Sequence, residues 1–129
     1  MATTISLDRF PHRYMDEVCN QRKFDVLDEL FAPEVLARIQ QTVLPFIQAF
    51  SDWHGTVDDV IVQGDKVVNR WRGQGTHTGN QMGMPATGKA VTITGITIFR
   101  VAGNKIVEEW TQMDVFGLMQ QLGVIPAQQ

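Results

Sequence analysis

Apolar residues recur at three- and four-residue intervals through the first part of the chain and at two-residue intervals through the second. Leu7, Phe10, Tyr14 and Val18 form one stripe, the spacing of a helix face. Pro11 falls early in that run, where a first turn tolerates it. Phe24 to Phe31, with Val26, Leu27, Leu30 and Phe31 apolar, predicts a second short helix. Pro33 ends it or starts the next. Leu36, Ile39, Val43, Phe46, Ile47 and Phe50 predict a third helix, and Pro45 within it predicts a kink or break.

After Trp53 the period becomes that of strands. His54 to Gln63 is the first expected strand, Gly64-Asp65 a hairpin turn, and Lys66 to Thr78 the second strand. Gly79 to Gly88 carries the glycines and the proline of a loop. Lys89 to Val101, dense in Thr, Val and Ile, is the third strand, and Lys105 to Phe116 the fourth. The tail from Gly117 keeps Leu118, Met119, Leu122 and Val124, which predicts that it packs. Helices followed by consecutive antiparallel strands predict an α+β fold, with the helices on one face of the sheet and a small-molecule cavity between the layers.

Length and composition narrow the classes. The 129 residues suit one domain, 1–129, and 43% hydrophobic with 19% charged residues suits a globule with a real core. A formal charge of −3 without a basic cluster beyond Gln21-Arg22-Lys23 gives no footprint for nucleic acid. No stretch approaches the roughly 18 apolar residues of a membrane span, and the acid-bearing start (Asp8, Asp16) does not read as a secretory signal. The lone Cys19 excludes an intrachain disulfide and suits a reducing compartment, so the expected location is cytoplasmic, with Cys19 a buried inert thiol.

The candidate chemistry centres on Asp114. Alternation puts Trp110, Gln112 and Asp114 on one strand face. A three-residue turn, Ala102 to Asn104, would set Ile96 opposite Trp110 and Thr92 opposite Asp114. Beside an indole and away from water the charged form of a carboxyl is disfavoured, which suits it to proton transfer near neutral pH. Alternatively Asp114 accepts hydrogen bonds from residues 117–119, and both readings stay open. His77, in Gly75-Thr-His-Thr-Gly79, either meets a ligand or braces its loop; His54 stands where it could reach a cavity mouth. Met82 and Met113 are adaptable apolar wall, and Trp71 completes the expected substrate-contacting set. No metal-ligand spacing, phosphate cradle or nucleophile motif occurs, so no metal and no cofactor is expected.

The blocks Phe50-Ser-Asp-Trp-His54, Gly64-Asp-Lys-Val-Val68, Gly75-Thr-His-Thr-Gly79, Pro85-Ala-Thr-Gly-Lys89, Ile98-Phe-Arg100, Lys105-Ile-Val-Glu108, Trp110…Asp114 and Gln120-Gln-Leu-Gly123 resemble, in order, the SnoaL-like polyketide cyclase (ester cyclase) family. The resemblance implies the nuclear-transport-factor-two-like cone, N-terminal helices packed on a curved, mainly antiparallel sheet. It implies cofactor-independent acid/base chemistry of the aldol or isomerisation type on a small apolar or polycyclic carbonyl ligand. Asp114 inherits the family's general acid/base role, and His54 is carried over as a pocket residue to complete the expected catalytic pair. Trp110, Thr92, Gln112, Trp71, His77, Met82 and Met113 are the expected substrate contacts. A binding protein of the same fold is the alternative. Epoxide hydrolysis ranks lower, because Arg100-Val-Ala102 lacks the second acid. A homodimer is expected, with Val67, Ile93 and Phe99 needing cover. Phe31 to Leu36 runs almost directly into the third helix, where the family commonly has a strand and a Gly-containing segment.

Overall fold

A computed structural model describes residues 6–126; the ends of the expected domain, 1–5 and 127–129, lie outside the described residues. Helix α1 (Arg9–Arg13) continues into a π-helical segment, Tyr14–Asn20. A 3-10 turn (Phe24–Val26) leads into the short α2 (Leu27–Leu30), and Pro33 opens α3 (Pro33–Gln48). Four strands follow, β1 (His54–Gln63), β2 (Lys66–Thr76), β3 (Ala90–Ala102) and β4 (Lys105–Met113), and then α4 (Val115–Leu122). The strands form an antiparallel meander in the order β1-β2-β3-β4, which with the helices makes the expected α+β arrangement.

Two expectations about local structure need correction. Pro45 does not end α3, which runs on to Gln48. The fourth strand stops at Met113, and the tail becomes α4. Asp114 causes the switch: its carboxylate accepts the Gly117 amide at 2.9 Å and caps the new helix.

The turn between β3 and β4 also differs. Ala102 pairs with Lys105, leaving two turn residues, Gly103 and Asn104, with φ of 59° and 61°. Both angles are positive, as the tight hairpin turn that matches strand twist requires. One step further the ladder slips. Val101 faces Ile106 but Arg100 faces Glu108, so Val107 is an extra residue in β4. An extra residue reverses the alternation beyond it. Ile106 is buried in the core, and Glu109, Thr111 and Met113 lie on the same inner face, Thr111 exposed there, whereas Trp110 and Gln112 point out.

On β2 and β3 the odd-numbered residues face the helices. Val67, Ile93 and Phe99 are therefore core residues, buried to 0%, 1% and 2% exposure. They do not make the outer apolar face expected of them. One core cluster joins Phe10, Val18, Leu30, Phe31 and Ile39 to Val67, Phe99 and Ile106. A second joins Met15, Ile47, Phe50, Trp53 and Trp71 to Ile93, Leu118 and Leu122. Each fully buried side chain of this size contributes about 1.5–3 kcal/mol. Tyr14 and Val43 pack against both clusters. The short junction after α2 is stitched to β4 by the Phe31–Ile106 bridge and by the Ala32 amide on the Ile106 carbonyl at 2.9 Å.

Gly95 lies between Trp71 on β2 and Met113 on β4. A Cβ there would stand 2.4 Å from Trp71 Cζ2 and 3.0 Å from the Gln112 carbonyl oxygen. The missing side chain is what lets the indole lie across β3. Gly95→Ala is expected to lower stability by about 1–3 kcal/mol, read as a lower urea midpoint with an unchanged m-value.

Candidate active site

A cavity of about 320 Å³ lies between the layers. Helix α3 supplies Arg38, Thr42, Val43, Phe46 and Ile47, spaced along one helix face. Pro11, Tyr14, Met15 and Cys19 come from the first helical stretch, and Trp53 from the chain entering β1. The sheet supplies Asn69 and Trp71, Thr97 and Phe99, and Glu109, Thr111 and Met113. The sheet residues alternate along each strand, so all seven share the inner face.

Strand register concentrates the polarity. Asn69, Thr97 and Thr111 lie in one row across β2, β3 and β4. The Trp71 indole N–H donates to Thr97 Oγ1 at 3.0 Å, and Thr97 Oγ1 lies 2.8 Å from Thr111 Oγ1. The Thr111 hydroxyl donates to Glu109 Oε1. The Asn69 amide donates to the Thr97 carbonyl at 3.2 Å. Arg38 Nη1 stands 3.4 Å from Glu109 Oε2, and Arg38 Nη2 donates to the Glu109 carbonyl at 3.2 Å. The Glu109 side chain is 11% exposed and the Arg38 side chain 53%, so the pair leads from the cavity wall to solvent. Glu109 is the one carboxylate lining the cavity among the described residues.

Apart from Arg38, the helical wall is uncharged. Burial pushes the Tyr14 phenol well above its ordinary value, and Cys19 and Glu109 add to the shift. Tyr14 therefore keeps its proton and can donate it in a hydrogen bond. It packs edge-on against Phe31 and Phe99, with ring centroids 5.6 and 5.8 Å away. Burial likewise pushes the Cys19 thiol up to about 12, against smaller opposing effects of Tyr14 and Arg22. A thiol held neutral and buried is not a nucleophile. Trp53 Nε1 is buried in the same wall without a hydrogen-bond partner.

Two of the expected site residues, Trp71 and Met113, lie on this wall. Asp114 does not: it is exposed and engaged as the cap of α4, the structural alternative left open above. Trp110 is 45% exposed on the outer face, and it pairs with Ile98 rather than Ile96. Gln112 points the same way. His54 and Thr92 meet in a separate outer cleft with Asp52, Gln74 and Gln121, and Thr92 exchanges backbone hydrogen bonds with the Gln121 amide. His77 is buried at the foot of its loop, where Nδ1 accepts the Thr87 amide at 3.2 Å and the ring packs on Phe50. Met82 packs against the second core cluster. Sequence reasoning missed Glu109, Thr111, Thr97, Asn69, Tyr14 and Arg38. Val91, Ile93, Phe99 and Val101 share the parity of Thr97 and carried a signal for it, but Ile96 and Ile98 at the opposite parity masked it.

An antiparallel sheet covered on one face by helices is the nuclear-transport-factor-two-like arrangement. Residues 12–122 match the family described as SnoaL-like polyketide cyclase, and the chain belongs to that family. Among solved structures it is similar to TsrD from Streptomyces laurentii, at 24% identity and a TM-score of 0.85, covering 97% of this chain and 100% of that one. It is similar to IdmH from Streptomyces antibioticus, at 26% identity and a TM-score of 0.70, covering 92% and 99%. A SnoaL-like polyketide cyclase from Agrobacterium tumefaciens gives 18% identity and a TM-score of 0.77, covering 95% and 100%. No functionally curated protein matches the chain. No helix among the described residues is long and apolar enough to cross a membrane.

The state of Cys19 gives a direct check. Iodoacetamide at pH 8 is expected to leave the folded protein unlabelled and to label Cys19 stoichiometrically in urea, read by intact mass.

Proposed function

We propose that the cavity receives a small, largely apolar carbonyl compound and that Glu109, rather than Asp114, moves the proton in a cofactor-independent cyclisation or isomerisation. The placement of a single carboxylate on a mostly apolar wall, with Arg38 the one other charged residue among its described lining, supports this reading. Glu109 takes a proton from carbon next to a carbonyl, and the C–H electrons pass into an enolate. Tyr14, protonated and on the wall, is a donor suited to the enolate oxygen. In a ring closure the enolate carbon then attacks a second carbonyl carbon, and the resulting alkoxide takes the proton back from Glu109. The cavity wall contributes by holding the reacting carbons together and excluding water.

Proton–deuterium exchange at the α-carbon of 2-tetralone in D2O, followed by NMR, tests the assignment. Glu109→Gln is expected to lower the rate by about 10²–10⁴-fold. Asp114→Asn is expected to retain it and to cost only part of a helix cap, about 0.5–2 kcal/mol at most. Loss of exchange in Asp114→Asn with retention in Glu109→Gln would reverse the roles. Binding of the ketone by the wild-type protein without exchange would make the protein a carrier.

We also propose that a second copy covers the outer sheet face. Ile61, Ile96 and Trp110 are 63%, 48% and 45% exposed there. The Arg70–Asp59 and Arg72–Asp58 pairs bring both charge signs to the same face, which suits a surface that meets its own copy. Trp110→Glu is expected to convert a dimer to a monomer in sedimentation velocity; a monomeric wild-type protein would remove this proposal.

A further inference from the structure

We infer that Trp71, Thr97 and Thr111 form a one-way hydrogen-bond chain that positions Glu109 as a base and leaves Oε2 as the oxygen that exchanges protons. This rests on the reading of Glu109 as the proton-transfer group.

The direction follows from counting protons. An indole nitrogen can only donate, and a hydroxyl has one proton to give. Trp71 gives its proton to Thr97 Oγ1. Thr111 gives its own to Glu109 Oε1. The proton between the two threonines therefore belongs to Thr97. All three bonds point toward the carboxylate, and a chain of donors ending on an anion is strongest while that anion is charged. A proton arriving at Oε1 would force both threonine hydroxyls to turn. Thr97 would then face two donors, and among the described residues nothing further accepts its proton. A proton arriving at Oε2 turns neither threonine and weakens only the long Arg38 contact. Arg38 stands 3.4 Å from that oxygen, longer than the about 2.7–2.9 Å of a charge-assisted bond, so its lone pairs stay available.

Chemistry that starts by giving a proton, as in opening an epoxide, is the opposite of what this chain prepares. Thr111, Thr97 and Trp71 are positioning residues, acting through Glu109. The chain is anchored at its far end by packing, because Trp71 reaches Thr97 only by lying over Gly95.

The test has two arms. In the first, the indole N–H resonance of Trp71 is followed in ¹H–¹⁵N spectra of the full chain. Glu109→Gln and Thr111→Val are both expected to move it upfield, and Thr111→Ser to leave it near its wild-type position. An unmoved Trp71 resonance in Glu109→Gln overturns the chain, since the threonines are the hydrogen-bonded path between the two residues. In the second arm, 2-tetralone exchange is expected to fall roughly ten- to hundredfold in Thr111→Val, with the maximal rate rather than KM taking the loss, and to return in Thr111→Ser. Wild-type exchange in Thr111→Val, alongside lost exchange in Glu109→Gln, overturns the chain and leaves the base assignment standing. Undiminished exchange in Glu109→Gln removes the base assignment itself. No exchange by the wild-type protein overturns both.

Discussion

The site depends on a single extra residue. Val107 has no partner of its own across β3, and beyond it every side chain of β4 changes face. Without that bulge Ile106, Glu108, Trp110 and Gln112 would share the inner surface, and the cavity would hold an indole and an amide where it now holds Glu109, Thr111 and Met113. The bulge is tolerated because its neighbours are anchored on both sides. Ile106 is locked into the core by Phe31, and the hairpin turn at Gly103 and Asn104 is fixed by two positive φ angles.

Chemistry and enclosure are divided between the layers. The sheet carries the polar row, where ladder hydrogen bonds hold side chains at fixed spacing. The helices carry Met15, Val43, Phe46 and Ile47, apolar side chains able to shape a hollow without competing for hydrogen bonds. The π-helical segment Tyr14–Asn20 brings Tyr14, Met15 and Cys19 to the hollow together; such widened turns often sit where a side chain must be re-aimed. Tyr14 joins the hollow to the first core cluster by its edge-on contacts with Phe31 and Phe99.

Much of the architecture was legible because it is written in local periodicity. The limits of β1, the Gly64-Asp65 turn and the loop from Gly79 follow from alternation and turn chemistry. Pro45 does not break α3 because a rule about isolated helices weighs less than a helix face packed on a sheet; the run through Phe46 and Ile47 supplies that packing. Asp114 was ambiguous for a different reason. A carboxylate ahead of a helical run is a capping signal as much as a catalytic one, and only the end of β4 at Met113 reveals the cap.

The sequence by itself determined the first helices, the four strands, their order and the family, because each depends on short-range spacing that a linear chain displays openly. The tertiary structure alone decided which face of β4 looks inward. Parity along a strand is a cumulative property, reversed by one unpaired residue, and that residue is visible only against the partner strand. Trp110 is the more apolar residue and Glu109 the more polar, so hydrophobicity argued for the wrong one. The ladder between Arg100 and Glu108 overruled it.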